Sequence, residues 1–497
     1  MTGRSLSVDV VIVGAGLSGI GAACHLIERR PEKSFVILEG RERMGGTWDL
    51  FRYPGVRSDS DMYTLGYRFR PWSDAQAIAD GPAILRYIRE TAEEYKIEDR
   101  ILYRHRARRA EWSSSDAAWT LEVDTPEGVK DVSCKFLYLC TGYYAYESGY
   151  TPEWPGMSDF AGPVIHPQFW PADLDPSGKR IVVIGSGATA VTLVPALAES
   201  ARHVTMLQRT PTYIVARPRH DKIANLLRRV LPSRAAYMLT RWKNVLVGMA
   251  FYELSRKRPD IVKRLIARGV RRHLGESVDP ADFSPPYNPW DQRLCLVPDA
   301  DLFGAIRMGR ASIVTGHIER FRAGGIVLES GAEIAADVVV TATGLRLKLL
   351  EGLTLVVDGR AVDLSQKLAY KGMMYSDVPN LAQAFGYTNA SWTLKCDLTS
   401  EYVCRILAEM DRGKYEICTP RVNDPTIRRE PVLDFNSGYV LRALDELPSQ
   451  GSKPPWRLYQ NYVRDLLMLR FGRIKDGTLE FKRRSEMAPR SVEHETA

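Results

Sequence analysis

The chain has 497 residues, of which 45% are hydrophobic and 26% charged, as is usual for a soluble globular protein. This length predicts about three domains, or two with insertions, and the composition excludes the disordered, collagenous and multispan membrane classes. The formal net charge of +8 is compatible with a nucleic-acid or membrane partner. Whether it indicates such a partner depends on how the charge is distributed along the chain.

The cysteines indicate a reducing compartment. There are seven, an odd number, and they are scattered without any C-x-x-C pair, which predicts neither a disulfide framework nor a zinc site. Residues 10–27 form an uncharged run after Arg4 that resembles a secretory signal. Its glycines, however, have a nucleotide-binding spacing, whereas a signal needs a continuous apolar helix. We therefore expect a cytoplasmic protein.

Residues 8–39 have the pattern of a strand–turn–helix–strand unit. A buried strand at 8–13 runs into Gly14-Ala15-Gly16-Leu17-Ser18-Gly19, and a helix and a second strand ending at Glu39 follow. In such a unit Gly14 permits the tight turn, Gly16 lets a pyrophosphate approach the backbone, and Gly19 lets helix and strand pack. The helix N-terminus binds the phosphates, and Glu39 can accept the ribose hydroxyls. The pattern predicts dinucleotide binding; the alternative is a glycine-rich structural turn.

A second unit of the same kind occupies residues 180–209. Its turn is Gly185-Ser186-Gly187-Ala188-Thr189-Ala190, in which alanine replaces the third glycine, and its second strand is followed by Arg209 and Thr210. A carboxylate at this strand end would repel a ribose 2′-phosphate, whereas the Arg209 guanidinium can bind it through two hydrogen bonds. This unit is therefore expected to bind NADPH; the alternative is a surface arginine at a strand end.

Two further apolar strands have the same ending. The strands at 132–140 and 337–340 lead into Thr141-Gly142 and Thr343-Gly344, the expected exits from the two nucleotide-binding folds. The predicted fold class is α/β with two Rossmann-like dinucleotide-binding domains, an arrangement that passes electrons from NADPH to a bound flavin. Because the chain has no closely spaced cysteine pair to receive those electrons, O2 is the expected acceptor.

The sequence at this point resembles the class B flavoprotein monooxygenases, and within them the Baeyer–Villiger monooxygenases. Residues Phe160 to Pro171 fit the family pattern F-x-G-x-x-x-H-x-x-x-W-P, with Phe160, Gly162, His166, Trp170 and Pro171 at its fixed positions. The related N- and S-oxidising flavin monooxygenases usually have Tyr where this chain has Trp170.

Other segments extend the resemblance over residues 8–480. They are Gly45-Gly46-Thr47-Trp48, Arg52 to Asp59 and Gln208 to Pro211, and the whole chain looks most like the mycobacterial ethionamide-activating type in Thr47 to Tyr63, Tyr287 to Pro298 and Gly386 to Lys395. The resemblance implies that Gly46, Thr47 and Trp48 contact FAD. It also implies a split FAD-binding domain at 1–150 and 336–482 around an NADPH-binding domain at 151–335. Residues 483–497 are polar and are expected to form a disordered tail.

By the same resemblance Arg293 is the catalytic arginine, and Asp59 is the carboxylate that orients it beside the flavin. The chemistry agrees, because oxygen insertion develops negative charge that a permanently charged guanidinium can stabilise. From the residue alone, a structural salt bridge would be the better interpretation. Many members of the family have Lys before this arginine, and here the residue is Gln292, so NADPH preference depends on Arg209 and Thr210.

The resemblance also bears on the roles of His166, Trp170 and Trp392. His166 has an ordinary pKa near neutrality and so suits a general base, but the family pattern places it where the domains meet, which favours a hinge or packing role. Trp170 is expected to be structural. A late helix at 394–410 is expected to point its N-terminus at the flavin pyrimidine, with Trp392 lining the pocket or packing in the core.

The excess positive charge lies in a predicted helical insertion at about 221–285. From Lys222 to Arg272 there are fourteen Lys and Arg against two acidic residues, a surplus larger than that of the whole chain. The simpler interpretation is a solvated face over packed helices. The alternative is reversible attachment of the insertion to an anionic membrane surface.

The expected activity is conversion of apolar ketones to esters or lactones with FAD, NADPH and O2. The same chemistry can also oxidise sulfides. No nucleic-acid partner is expected. An N- or S-oxygenase is the first rival function. A flavoprotein whose basic segment binds membrane or nucleic acid is the second.

Overall fold

The computed structural model describes residues 6–275, 279–433 and 437–487. Its α-helices α1 to α12 are Leu17–Arg29, Thr47–Leu50, Met62–Leu65, Gly81–Glu94, Ala188–Leu197, Lys222–Val230, Ser233–Lys257, Pro259–Leu274, Asp301–Arg307, Trp392–Gly413, Gly438–Leu441 and Tyr462–Leu466.

The strands are numbered in chain order. Strands β1 to β13 are Leu6–Val13, Phe35–Glu39, Ile101–Tyr103, Arg106–Ser113, Ala118–Thr125, Gly128–Leu139, Tyr144–Gly149, Val164–Ile165, Arg180–Ile184, His203–Gln208, Ile214–Arg217, Cys295–Pro298 and Ala311–Thr315. Strands β14 to β27 are Ile318–Arg322, Gly325–Leu328, Glu333–Ala335, Val338–Thr341, Leu345–Leu347, Thr354–Val357, Arg360–Ala361, Ala369–Tyr370, Met374–Tyr375, Leu381–Gln383, Ile417–Pro420, Arg429–Pro431, Ser449–Gly451 and Leu479–Lys482.

The first sheet carries the first glycine turn. Its parallel part runs β3, β2, β1, β6 and β23, and β4 and β5 extend β6 as an antiparallel layer. In β1 the apolar residues Val10, Val11 and Ile12 have no exposed surface, which is typical of a central parallel strand that is covered on both faces. The sheet therefore presents the ends of β1 and β6 side by side.

The second sheet carries the second glycine turn. Its five strands are all parallel, in the order β13, β10, β9, β17 and β8. Helix α5 connects β9 to β10, and its Val191, Leu193 and Val194 are buried in the core. Two parallel sheets of this kind confirm the predicted α/β class with two Rossmann-like folds.

Helices α6, α7 and α8 lie between the paired strands β11 and β12, in the stretch for which the sequence predicts an insertion. They carry nine of the seventeen exposed large hydrophobic side chains of the described residues. No described helix is long and apolar enough to cross a membrane. Attachment of this face to a membrane surface stays a prediction, as do the three domain boundaries.

Two predictions need comment at the ends of elements. Helix α10 begins at Trp392, two residues before the expected start, because Trp392 stacks on Tyr143 with ring centroids 4.6 Å apart. That tertiary contact overrides the low helix propensity of Trp and Thr. Of the predicted tail, Arg484–Met487 form a short 3-10 turn and residues 488–497 lie outside the described residues.

Candidate active site

The first glycine turn has the close approaches that require glycine. Gly14 has φ +103°, and a Cβ added to it would lie 2.6 Å from the carbonyl oxygen of Cys140. A Cβ on Gly19 would lie 1.9 Å from the Gly14 carbonyl oxygen. Helix α1 begins directly after Gly16, which provides no side-chain cap. The turn thus leaves the helix N-terminus open to an anionic group.

Glu39 lies at the end of β2 beside this turn, as predicted. Its Oε2 accepts a hydrogen bond of 2.8 Å from Ala15 N, and its Oε1 accepts one of 2.9 Å from Arg41 N. Burial raises the pKa of Glu39 above its ordinary value, against the effect of these two N–H groups. Each oxygen retains a lone pair, so the carboxylate can still accept ribose hydroxyls.

The segment from Gly45 to Trp48 faces the first turn across a gap. Gly46 has φ +54°, and a Cβ on it would lie 3.0 Å from Gly16 Cα. Gly45 N donates to Ala15 O at 3.0 Å, which holds the two loops together. Gly16, Gly46, Thr47 and Trp48 line one cavity, which we call the central cavity.

The second glycine turn repeats the geometry of the first. Gly185 has φ +132°, and a Cβ on it would lie 2.3 Å from the Ala342 carbonyl oxygen, whereas a Cβ on Gly187 would meet nothing within 4 Å. Ser186 Oγ donates to Thr210 O at 3.1 Å, which joins the turn to the segment after β10. Ala190 is fully buried, so its role is packing of the helix rather than contact with a ligand.

Arg209 is exposed immediately after β10. Neither it nor Thr210 lines the central cavity. Within the described residues no carboxylate pairs with Arg209, so its guanidinium is available for an anionic ligand at the outer end of the second fold.

Three helix N-termini meet at the central cavity. The first residues of α1 and α5 line it, as do Ala390 and Trp392 at the start of α10. Positive dipole ends of helices favour anionic groups, and glycine turns allow close approach to the backbone. The central cavity therefore fits phosphate-bearing dinucleotides from both folds, together with an isoalloxazine ring that carries negative charge when reduced.

The predicted catalytic pair is joined in the structure. Arg293 Nη2 lies 2.9 Å from Asp59 Oδ2, and the two side chains retain 34% and 30% of their accessible surface. The nearby Asp59 carboxylate raises the pKa of Arg293 well above its ordinary value, although burial opposes this. Both residues line the central cavity, so a permanent positive charge faces the space between the two nucleotide-binding folds.

Tyrosines surround this arginine in a way that no sequence motif indicated. Tyr439 lies near Arg293, and burial raises the pKa of Tyr439 to about 12 although the arginine charge opposes this. Tyr143 and Tyr144 also lie near the guanidinium. Tyr53, from the Arg52 to Asp59 segment, packs against the core of the second sheet and lines the central cavity with Thr189 at the start of α5. The Tyr53 contact thus connects the first fold to the second.

The F-x-G-x-x-x-H-x-x-x-W-P segment packs where the two folds meet. His166 Nε2 lies 3.1 Å from Gly344 O, while its Nδ1 accepts from Gln168 N at 3.2 Å. The proton is therefore on Nε2, and burial lowers the pKa of His166. With both nitrogens engaged, a hinge or packing role is better supported than a general base.

The other residues of this segment also make packing contacts. A Cβ on Gly162 would lie 2.3 Å from the Asp337 carbonyl oxygen, and the Phe160 ring contacts Phe321 edge to face. Trp170 is partly buried against the core of the second sheet, and Pro171 follows it in the loop.

A second cavity adjoins the catalytic pair, and we call it the side chamber. It has a volume of about 380 Å³, within the usual range of small-molecule sites. Asp59 and Arg293 line both the side chamber and the central cavity. Its other walls include Val245 and Met249 of α7 and Leu394 of α10. An apolar molecule in the side chamber would therefore reach the same guanidinium that faces the central cavity.

Known proteins with similar sequences agree with this geometry. Residues 73–353 match the family described as flavin-binding monooxygenase-like, and residues 12–76 match the NAD(P)-binding Rossmann-like domain. The FAD-containing monooxygenase EthA of Mycobacterium tuberculosis is 55% identical over 479 residues, 96% of this chain and 98% of its own length. The probable FAD-binding monooxygenase AlmA of Acinetobacter baylyi is 44% identical over 98% of each chain.

Solved structures support the fold. A steroid monooxygenase bound to NADP superposes with a TM-score of 0.69 at 24% identity, covering 83% of this chain and 88% of its own. An open form of cyclohexanone monooxygenase gives a TM-score of 0.70 at 20% identity, covering 84% of this chain and 90% of its own. At these identities the likeness concerns the arrangement of the two dinucleotide-binding folds.

Proposed function

The chain belongs to the flavin-binding monooxygenase-like family, and on that premise we propose that this oxidoreductase is a Baeyer–Villiger monooxygenase of apolar ketones. One atom of O2 enters the ketone between the carbonyl carbon and a neighbouring carbon, giving an ester or lactone. The other atom leaves as water, and NADPH with a proton supplies the two electrons.

The cofactors are FAD in the first fold and NADPH in the second. Glu39 accepts the ribose hydroxyls of FAD, and the Gly14 to Gly19 turn with the N-terminus of α1 holds its phosphates. Gly185, Ser186, Gly187 and Thr189 provide the corresponding turn for NADPH, and the exposed Arg209 binds its 2′-phosphate. Bound FAD would supply the redox chemistry that accepts two electrons from NADPH and activates O2.

The observation that carries this proposal is the position of the Arg293–Asp59 pair between the two cavities. A guanidinium stays protonated at any working pH, so it can stabilise the negative charge that develops on a ketone oxygen during insertion. Asp59 holds the guanidinium in place through the 2.9 Å contact. Tyr439 lies near the same guanidinium.

The apolar lining of the side chamber supports an apolar class of substrate. Val245, Met249 and Leu394 give it apolar walls, which favour an apolar substrate by excluding water from the reacting carbon. On the side of the central cavity, Arg293 provides the side chamber with a permanent positive charge. A ketone bound there would expose its carbonyl oxygen to this charge.

Oxygenation of amines or sulfides is the rival outcome, because soft nucleophiles do not form an oxyanion and so do not need Arg293 in this role. The test uses purified holoenzyme with NADPH and a panel of one linear ketone, one cyclic ketone, one aryl methyl sulfide and one tertiary amine. We expect ester or lactone to form in proportion to the NADPH consumed. Sulfoxide or N-oxide without ester from either ketone would replace the proposal by its rival.

A further inference from the structure

Helix α7 contains a glycine that its local structure does not require. Gly248 lies in the interior of the 25-residue helix, is exposed, and has a helical backbone conformation open to any residue. A Cβ added to it would meet nothing within 4 Å, so no neighbour demands the small residue. Glycine in a helix interior is also destabilising relative to alanine. Its presence at this position therefore calls for a reason outside the packing of α7.

The reason lies in the side chamber, whose wall includes Gly248. Its neighbours Leu246 and Val247 are exposed, with 52% and 60% of their surface accessible, whereas Val245 is buried. The wall of the side chamber thus passes from a buried apolar residue to the protein surface within one turn of α7. Gly248 stands at the exposed end of this turn and is still part of the lining of the side chamber.

Another part of the lining of the side chamber is polar and held in place. Asn389 Nδ2 donates to Gln460 O at 2.9 Å, and Thr388 N donates to Gln460 Oε1 at 3.1 Å. These residues line the side chamber together with Gly248. Asn389 Oδ1 is buried without a hydrogen-bond partner in the described residues. Hydrogen bonds therefore hold the lining at residues 388–389 in place, whereas the lining at Gly248 has no side chain.

We propose that Gly248 determines which ketones enter the active site, because the missing side chain keeps the mouth of the side chamber open. This inference rests on the proposed function and adds the route and size limit of its substrate. Apolar ketones enter between α7 and the 388–391 segment and pass Val245 to reach Arg293. A larger residue at position 248 would narrow the route for bulky ketones more than for slender ones.

Gly269 of α8 offers a matched control. It too lies inside a helix of the insertion, and a Cβ on it would meet nothing within 4 Å. Unlike Gly248, it is not part of the wall of the side chamber. Replacing either glycine by leucine adds the same apolar side chain to the same three-helix insertion. Effects on folding or aggregation should therefore be shared, whereas effects on access should be confined to position 248.

The experiment compares wild-type, Gly248→Leu and Gly269→Leu holoenzymes with a linear and a bicyclic ketone. For Gly248→Leu we expect kcat/KM for the bicyclic ketone to fall by about tenfold or more, mainly through KM, and that for the linear ketone to change less than twofold. Flavin reduction by NADPH should be unchanged in both variants. Gly248→Ala should melt at a higher temperature than wild type, since it removes only the helix penalty of glycine.

A binding measurement separates this proposal from the proposed reaction. The fluorescent naphthyl ketone Prodan is titrated into oxidised holoenzymes without NADPH, and we expect Gly248→Leu, but not Gly269→Leu, to weaken its binding. If wild type makes no ester and Gly248→Leu still weakens binding, the reaction is wrong and the entrance stands. Equal ratios of bicyclic to linear kcat/KM and equal probe affinity in the two leucine variants would overturn the inference.

Discussion

Asn244 Nδ2 of α7 donates a 2.9 Å hydrogen bond to Oδ1 of Asp61, two residues after Asp59. Asp61 caps α3 through Thr64 N, so this contact ties the insertion to the segment that carries Asp59. The buried Arg241, one turn earlier, donates to the carbonyl oxygens of Tyr63 and Gly66 at the other end of α3. Helix α7 therefore makes hydrogen bonds to the residues that begin and end α3, the short helix that follows Asp59.

Helix α7 also contacts the segment that carries Arg293, the partner of Asp59. Arg256 Nη1 lies 2.7 Å from Asp291 Oδ1, and the Tyr252 ring contacts Trp290 edge to face. Trp290 has φ +72°, a left-handed conformation rarely adopted by a bulky residue. Since Trp290 and Asp291 directly precede Gln292 and Arg293, α7 is connected to both members of the Asp59–Arg293 pair.

Replacing Asn244 should therefore disturb oxygenation through Asp59. Asn244→Leu leaves the buried Asp61 oxygen with one partner fewer, which should cost about 1 to 3 kcal/mol of stability. We expect a larger share of the NADPH consumed to end as hydrogen peroxide, because the pair is held less firmly. Peroxide and ester yields, with the denaturation midpoint, measure both effects.

The matched control for Asn244 is Thr240, four residues earlier on α7. Its buried hydroxyl donates only to Ala236 O of the same helix, at 2.8 Å. Thr240→Val should lower stability without changing the ratio of peroxide to ester. An equal rise in peroxide in the two variants would reduce Asn244 to a purely structural residue.

Cofactor choice is tested at Arg209. Arg209→Ala removes a charge-assisted phosphate contact worth about 1.5 to 3 kcal/mol, so KM for NADPH should rise roughly ten- to a hundredfold. Kinetics with NADH should barely change. Arg202, exposed immediately before β10 at the other end of the strand, is the control. A wild-type enzyme that uses NADH as well as NADPH would contradict the assignment.

The pH dependence of stability is tested at His166. Because burial lowers its pKa in the folded protein, the unfolded chain binds a proton more readily. The stability associated with neutral His166 is therefore present above about pH 6.5 and is lost as the pH falls through that value toward the lower folded pKa. We expect His166→Gln to show a smaller fall in melting temperature between pH 7 and pH 5 than wild type. The exposed His220→Gln should behave like wild type, and parallel curves for all three proteins would refute the prediction.

The part of the site that sequence could predict is local. Gly14, Gly185 and Glu39 lie in short motifs whose spacing follows from one turn between strand and helix, and Arg293 was found by resemblance to the family pattern. Tyr439, Asn244 and Arg241 act through contacts with residues more than a hundred positions away, and their own neighbours in sequence form no motif. The convergence of α1, α5 and α10 on one cavity likewise depends on how the folds pack.

The mechanism is tested at Arg293. Under the proposed function its positive charge stabilises the negative charge that develops on the substrate, whereas the residues proposed to hold FAD lie in the first fold. Removal of such a preorganised group costs on the order of a hundredfold or more in rate. Arg293→Ala should therefore purify with bound flavin and yet form no measurable ester from a ketone that wild type converts. NADPH consumption should continue, with hydrogen peroxide as its product.

The accessible surface of the pair makes this experiment interpretable. Asp59 retains 30% of its side-chain surface, so without Arg293 its carboxylate is hydrated rather than buried unpaired, and we expect a stability change of only about 0 to 1 kcal/mol. Asp59→Ala should be milder than Arg293→Ala, because the guanidinium keeps its charge and its Tyr439 contact and loses only orientation. Ester yield, peroxide yield and flavin content are measured for both variants. If Arg293→Ala forms ester within a fewfold of wild type, then another group stabilises the developing charge and Arg293 is not the catalytic arginine.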